Sequence, residues 1–206
     1  MMSSDKKNEL DKFDDAIMSA NLELFSSYYP LFYLLETTLK KRLYKKLKIN
    51  LGEDWFTKQL AKPDPLFEEE KSSILRRKPK NFLLKDNGLL VESGLGFWVE
   101  FFNRRLYKET KGIPISIFKN RPREIKRKDI YQKLDNAKEF RNHLFHSRLP
   151  IIVKKEDISK LEQFDIQGKN LETILKWFGD LPESIATTQY IQIKINVIRK
   201  LLEKSA

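Results

Sequence analysis

The chain has 206 residues, 40 Lys+Arg against 29 Asp+Glu, and a formal net charge of +11. Seven Gly and eight Pro are few turn formers for this length, which argues against a many-stranded sandwich or barrel, and 40% hydrophobic with 12% aromatic residues excludes a wholly disordered chain. The absence of Cys excludes a disulfide framework, thiolate catalysis and Cys-based zinc sites, and makes a cytoplasmic location the expectation.

One domain is expected over 1–206, with residues 1–7 disordered. Met1–Asp15 lacks the apolar core of a secretory signal, and no apolar run nears the ~18 residues of a membrane span. From Phe13 to Lys48 the pattern is helical. Tyr28, Phe32, Leu35, Leu39, Leu43 and Leu47 form one apolar stripe, and Pro30 fits the first turn of a long helix. Short helices are expected at Trp55–Leu60 and Leu66–Leu75, between Pro63, Pro65 and Pro79. Asn81–Gly96 reads as loop or a brief hairpin at Asn87-Gly88. Phe97–Tyr107 reads as one helix capped by Ser93. Gly94-Leu-Gly96 has neither the preceding strand nor the third Gly of a phosphate loop. Phe97, Trp98, Phe101 and Phe102 are assigned to the core.

Lys108–Lys128 reads as a basic loop. Asp129, with Gln132 three residues later, opens the next helix as a capping box, and that helix is expected over 129–148, ahead of Pro150. Ile158–Phe164 and Leu171–Phe178 read as two short helices. Ser184–Lys204 reads as a last helix with Ile191, Ile195, Ile198 and Leu202 in register; a strand over Tyr190–Val197 is the lesser alternative. The fold class is all-α, a helical bundle with extra short helices and loops.

The charge is clustered. Phe101–Lys128 holds ten Lys/Arg against two Glu, Lys40–Lys48 six with no acid, and Lys71–Lys80 five with no acid. Such blocks point to a polyanion, RNA or DNA before a membrane surface, because no basic helix with a Trp/Leu face stands out. Arg104, Arg105, Arg121, Arg123, Lys126, Arg127 and Lys128 are the RNA-contact candidates; a merely solvated basic face is the alternative.

The only histidines are His143 and His146, in Arg141-Asn142-His143-Leu144-Phe145-His146. Ile130, Leu134, Ala137 and Leu144 form the buried stripe of this helix, and Arg141 lies about 40° from Ala137 at 100° per residue. An Arg so placed needs a partner. Glu36, on the apolar face of the first long helix, either neutralises it or joins the site. Asn142 and His146 are i and i+4, so the amide can orient the imidazole. Histidine moves protons near neutral pH and arginine forks onto phosphate, so phosphodiester chemistry is indicated. Cleavage of RNA wants two proton-transfer groups and a clamp, which two copies across a twofold axis would supply. Metal binding by His143 and His146 has only Glu139 as a visible third ligand; no metal and no cofactor are expected.

Arg141-Asn142-x-x-x-His146 resembles the R-N-x-x-x-H form of the signature of HEPN domains. A chance match to the bare R-x4–6-H spacing is about 0.3 in a chain of this composition, falling to about 0.02 once Asn must follow Arg. Tyr29-Pro-Leu-Phe-Tyr-Leu-Leu-Glu36-Thr-Thr-Leu-Lys-Lys-Arg42 is similar to the first long helix of the Abi-like (abortive infection) group of that family. Gly94-Leu-Gly96-Phe97-Trp98-Val99 resembles its Gly-aromatic helix start, and Leu171–Phe178 with Pro182 its C-terminal region. The resemblance spans about Phe25 to Ile185. It implies a homodimeric, metal-independent endoribonuclease, a toxin or phage-defence effector with Arg141, Asn142 and His146 catalytic, Glu36 supporting, and an antitoxin or regulatory RNA or protein as a further partner. Arg148 stands where some members carry a Tyr that a nucleotidyltransferase modifies, so that route of neutralisation is not implied. A catalytically inactive HEPN module binding RNA or a partner protein is the alternative. A helical DNA-binding regulator ranks last, for want of helix-turn-helix spacing.

Overall fold

The structure is a computed structural model that describes residues 4–146, 152, 157–179 and 188–204, with side chains described from 15 to 203. It is all-α, and no strand occurs among the described residues. The helices are α1 (Ser4–Ser27), α2 (Tyr29–Leu51), α3 (Trp55–Leu60), α4 (Pro65–Arg76), α5 (Asp86–Glu92), α6 (Leu95–Val99), α7 (Arg104–Glu109), α8 (Arg127–Phe145), α9 (Ile158–Phe178) and α10 (Gln189–Lys204). Turns of 3₁₀ helix lie at Glu100–Phe102 and Ile113–Ile117.

Two compact units share the chain. The motif unit comprises Met1–Tyr33, Glu139–Lys176 and Asp180–Ala206; the basic unit comprises Leu34–Lys138 and Trp177–Gly179. In the motif unit α1 packs along α10, and Ile191, Ile195, Ile198 and Leu202 are all buried as the register predicts. Tyr28 anchors the core of this unit. Its ring meets Phe140 edge-on at 5.1 Å, and its hydroxyl donates to the Phe164 carbonyl at 2.5 Å. Burial, then the charge of Asp165, pushes that hydroxyl's pKa far above its ordinary value, so it stays a donor. Buried Asn21 donates to the Ile152 carbonyl and accepts from the Ile152 amide, both at 2.9 Å, and so replaces a strand partner for that residue.

The basic unit is built on aromatics. Phe56, Phe67, Phe97, Trp98 and Phe101 are all buried and meet mostly edge to face at 5.2–6.4 Å, an arrangement the ring quadrupole favours. Phe97, Trp98, Phe101 and Phe102 fulfil the core assignment. Arg42 donates to the Phe178 carbonyl at 2.7 Å and lies over that ring at 5.0 Å. Gly179 ends α9 with φ +92, and a Cβ there would come within 3.0 Å of Asn120.

Several expectations are corrected. Residues 4–7 open α1 rather than a disordered start, since no Gly or Pro interrupts the chain before Pro30; residues 1–3 lie outside the described residues. The helical stretch from Phe13 divides at Tyr28, which puts Pro30 second in α2, where its missing N–H costs nothing. The expected loop or hairpin holds α5, tied down by Asp86, which accepts from Tyr44 and Lys48 at 2.9 Å. The expected helix Phe97–Tyr107 breaks at Asn103, whose side chain caps α7 by accepting from Leu106 N at 3.1 Å. Ser93 does not cap the helix that follows but closes α5: its amide and hydroxyl both donate to Leu89 O, and the hydroxyl accepts from Trp98 Nε1. The loop 108–128 contains the end of α7, a 3₁₀ turn and the start of α8. The two short helices expected after Ile158 are the single helix α9, with Gly168 inside it. A Cβ there would lie 3.3 Å from Thr188 and 3.5 Å from Ile191, so the glycine serves close packing rather than a break. Residues 184–187, expected to open the last helix, lie outside the described residues.

Candidate active site

α8 begins at Arg127, two residues before the expected start. Asp129 accepts from the Lys126 amide ahead of the helix at 2.8 Å, while Gln132 donates to Asn136 instead of capping. Ile130, Leu134, Ala137 and Leu144 are buried as the stripe predicts, and Phe140 joins them. The helix ends at Phe145, three residues short of Arg148. His146 continues the ladder by one bond, its amide donating to Asn142 O at 3.1 Å; Ser147–Pro150 lie outside the described residues.

At this end of α8, Arg141 and Asn142 are half-buried, and His143 and His146 are exposed. Arg141 faces along the helix to Phe145, its guanidinium carbon 5.9 Å from the ring centroid, at the outer range of a cation–π contact. Asn142 and His146 share the next strip. At 100° per residue Arg141 and His146 lie about 140° apart around the axis, so one α8 does not aim both at one point. Among the described residues neither the Asn142 amide nor the His146 ring has a side-chain hydrogen-bond partner.

Sequence reasoning missed the aromatics beside the motif. Phe145 is 41% exposed, and Tyr29 and Tyr33 are each 61% exposed. The two tyrosine rings stand 6.2 Å apart at 22°, and Phe145 meets Tyr29 at 6.3 Å edge to face. The available signal was spacing: Tyr29 and Tyr33 are i and i+4, each one residue past a buried stripe position, Tyr28 and Phe32.

Glu36 belongs to the basic unit and pairs with Lys40 at 2.8 Å, one turn along α2. The basic candidates all lie in the basic unit. Arg105 is held by Asp64 at 2.6 Å and Glu109 at 3.2 Å. Burial raises the Asp64 carboxyl, but the Arg105 bond and the Phe67 and Leu66 amides outweigh it and hold the group below its ordinary value. Arg121 turns back on the carbonyls of Pro122 and Ile125, and Arg127 donates to Phe102 O at 2.6 Å. Arg104, Arg123, Lys126 and Lys128 are exposed. Among the described residues no helix is long and apolar enough to cross a membrane. Compared with family models, with curated proteins and with solved structures, the chain matches none.

Proposed function

We propose that this chain is a HEPN-type endoribonuclease of the Abi-like kind, a cytoplasmic toxin or phage-defence effector that works as a homodimer. The observation that carries the reading is the end of α8, where a half-buried arginine and an exposed histidine occupy strips about 140° apart. A second copy across a twofold axis supplies the missing half of each strip, so that two histidines and two arginines address one phosphodiester.

The chemistry is transesterification followed by release. The 2′-oxygen of the ribose attacks the adjacent phosphorus as His146 accepts its proton. Arg141 stabilises the charged phosphorane. The bond to the 5′-oxygen breaks, and that oxygen leaves protonated by the second histidine. The products are a 2′,3′-cyclic phosphate and a 5′-hydroxyl. Asn142 orients the imidazole once RNA is seated. The exposed cations Arg104, Arg123, Lys126 and Lys128 hold the backbone of the RNA. The step needs no metal or cofactor, so EDTA leaves it unchanged, and DNA, lacking the 2′-hydroxyl, is not cut. An antitoxin or a regulatory RNA restrains the resting protein.

Expression of wild type and His146→Ala in one bacterial host, with total RNA run alongside, tests the reading. Growth arrest with fragmented RNA from wild type alone supports it; equal toxicity of both removes the α8 motif from the active site. A second reading, an RNA- or protein-binding module without catalysis, is favoured by the lack of a side-chain partner for the His146 ring among the described residues. It predicts salt-dependent RNA binding and no cleavage at any enzyme concentration.

A further inference from the structure

We infer that Tyr29, Tyr33 and Phe145 form a stacking platform for unpaired bases, which makes single-stranded RNA the substrate of the proposed nuclease. The inference rests on that reading for the chemistry and adds where the bases go. The three rings belong to one unit and are linked: Tyr29 lies near-parallel to Tyr33 and edge-on to Phe145. Phe145 is seated from beneath by buried Phe32, 5.9 Å away at 74°, which fixes its position while leaving it 41% exposed. Arg141, the proposed phosphate clamp, lies 5.9 Å from the same ring. Stacking surface and cation are thus adjacent, as a base and its own phosphate are.

Rings with a guanidinium beside them match a nucleotide, base on ring and phosphate on cation. The other exposed large apolar side chains of this unit among the described residues are Met18, Leu22, Ile193 and Val197 with one aromatic, Tyr190, on the packed helices α1 and α10, and Ile166 on α9. That mixed aliphatic surface suits a protein partner. Among the described residues the patch beside Arg141 contains rings only, and every base has a π-face for a ring to meet, whatever its sequence. A duplex keeps its bases stacked on one another and offers such a platform nothing, so the selectivity is for single strands and loops.

Fluorescence anisotropy on the full chain tests this with a 2′-O-methyl oligonucleotide of about twelve residues, long enough to cover one site and blocked against cleavage. The same strand annealed to its complement is the control, and light scattering follows the oligomeric state. Wild type should prefer the single strand. Tyr29→Leu with Tyr33→Leu should lose about tenfold in single-strand affinity with duplex binding unchanged, and Tyr29→Phe with Tyr33→Phe should keep it. Both tyrosines are 61% exposed, so the leucines leave the core intact. Unchanged single-strand affinity in the leucine variant, equal loss on both ligands, or dissociation of the dimer overturns the platform; the last assigns the patch to a second copy. A wild type that binds single strands through the tyrosines yet cuts no RNA overturns the nuclease and leaves the platform standing.

Discussion

The motif unit carries both histidines and, with 14 Lys/Arg against 15 Asp/Glu, a net charge of −1. The basic unit has no histidine and, with 26 Lys/Arg against 14 Asp/Glu, a net charge of +12. Exposed apolar surface runs the other way: of thirteen large apolar side chains exposed among the described residues, nine belong to the motif unit. The basic unit instead sinks its rings into a dense aromatic core. The whole-chain charge of +11 therefore describes only one of the units. Attraction for a polyanion comes from charge density, whereas proton transfer and copy-to-copy contact are better served where like charges do not accumulate. On this account the basic unit supplies the salt-dependent phosphate contacts, and the motif unit supplies the chemistry, the base stacking and the apolar contacts.

The division can be broken from either side. His146→Ala should lower the rate of RNA cleavage by about 10²–10⁴-fold, as loss of a general acid–base does, with RNA affinity within about twofold of wild type. A parallel fall in affinity would show that chemistry and binding are not divided. Replacing Arg104, Arg123, Lys126 and Lys128 together by Gln should do the opposite. The slope of log affinity against log salt should shrink by about 3, with the rate at saturating RNA unchanged. A slope equal to that of wild type would place the phosphate contacts elsewhere.

Two smaller effects sharpen the contrast through stability. Asn21→Ala in the motif unit strips Ile152 of both backbone partners and should cost about 1–3 kcal/mol, read as a lowered urea midpoint. Asp64→Ala in the basic unit removes the cap that accepts from Leu66 and Phe67, a loss of about 1 kcal/mol. The folded Asp64 carboxyl sits below its unfolded value, so its share of stability is present above the unfolded pKa and lost as pH falls through the folded one. The Tm gap between wild type and Asp64→Ala should accordingly narrow below about pH 4.

Much of the fold was legible because buried faces repeat at helical spacing: Leu35, Leu39, Leu43 and Leu47 are each fully buried, as the stripe on α2 predicts. The misreadings share a cause. Gly168 and Asn103 are both weak helix residues, yet one lies inside a continuous helix and the other breaks one. The difference is tertiary, because Ile191 and Thr188 close onto Gly168, whereas the Asn103 side chain takes the Leu106 amide. Propensity alone cannot separate the two cases. In the candidate site, the gathering of Arg141, Asn142 and His146 at the end of one helix could be read from spacing. The aromatic patch could not, because Tyr29 and Tyr33 differ from buried neighbours only by one position along α2, about 100° around its axis. Of the basic candidates, sequence could not tell that Arg105, Arg121 and Arg127 are engaged by acids or carbonyls nearby.

The most direct test is end-group analysis of a single-stranded RNA incubated with purified wild type and with His146→Ala, each with and without EDTA. The account predicts 2′,3′-cyclic phosphate and 5′-hydroxyl ends from wild type, unchanged by EDTA, and no new ends from His146→Ala. Equal cleavage by both proteins, or ends bearing a 5′-phosphate, would contradict it.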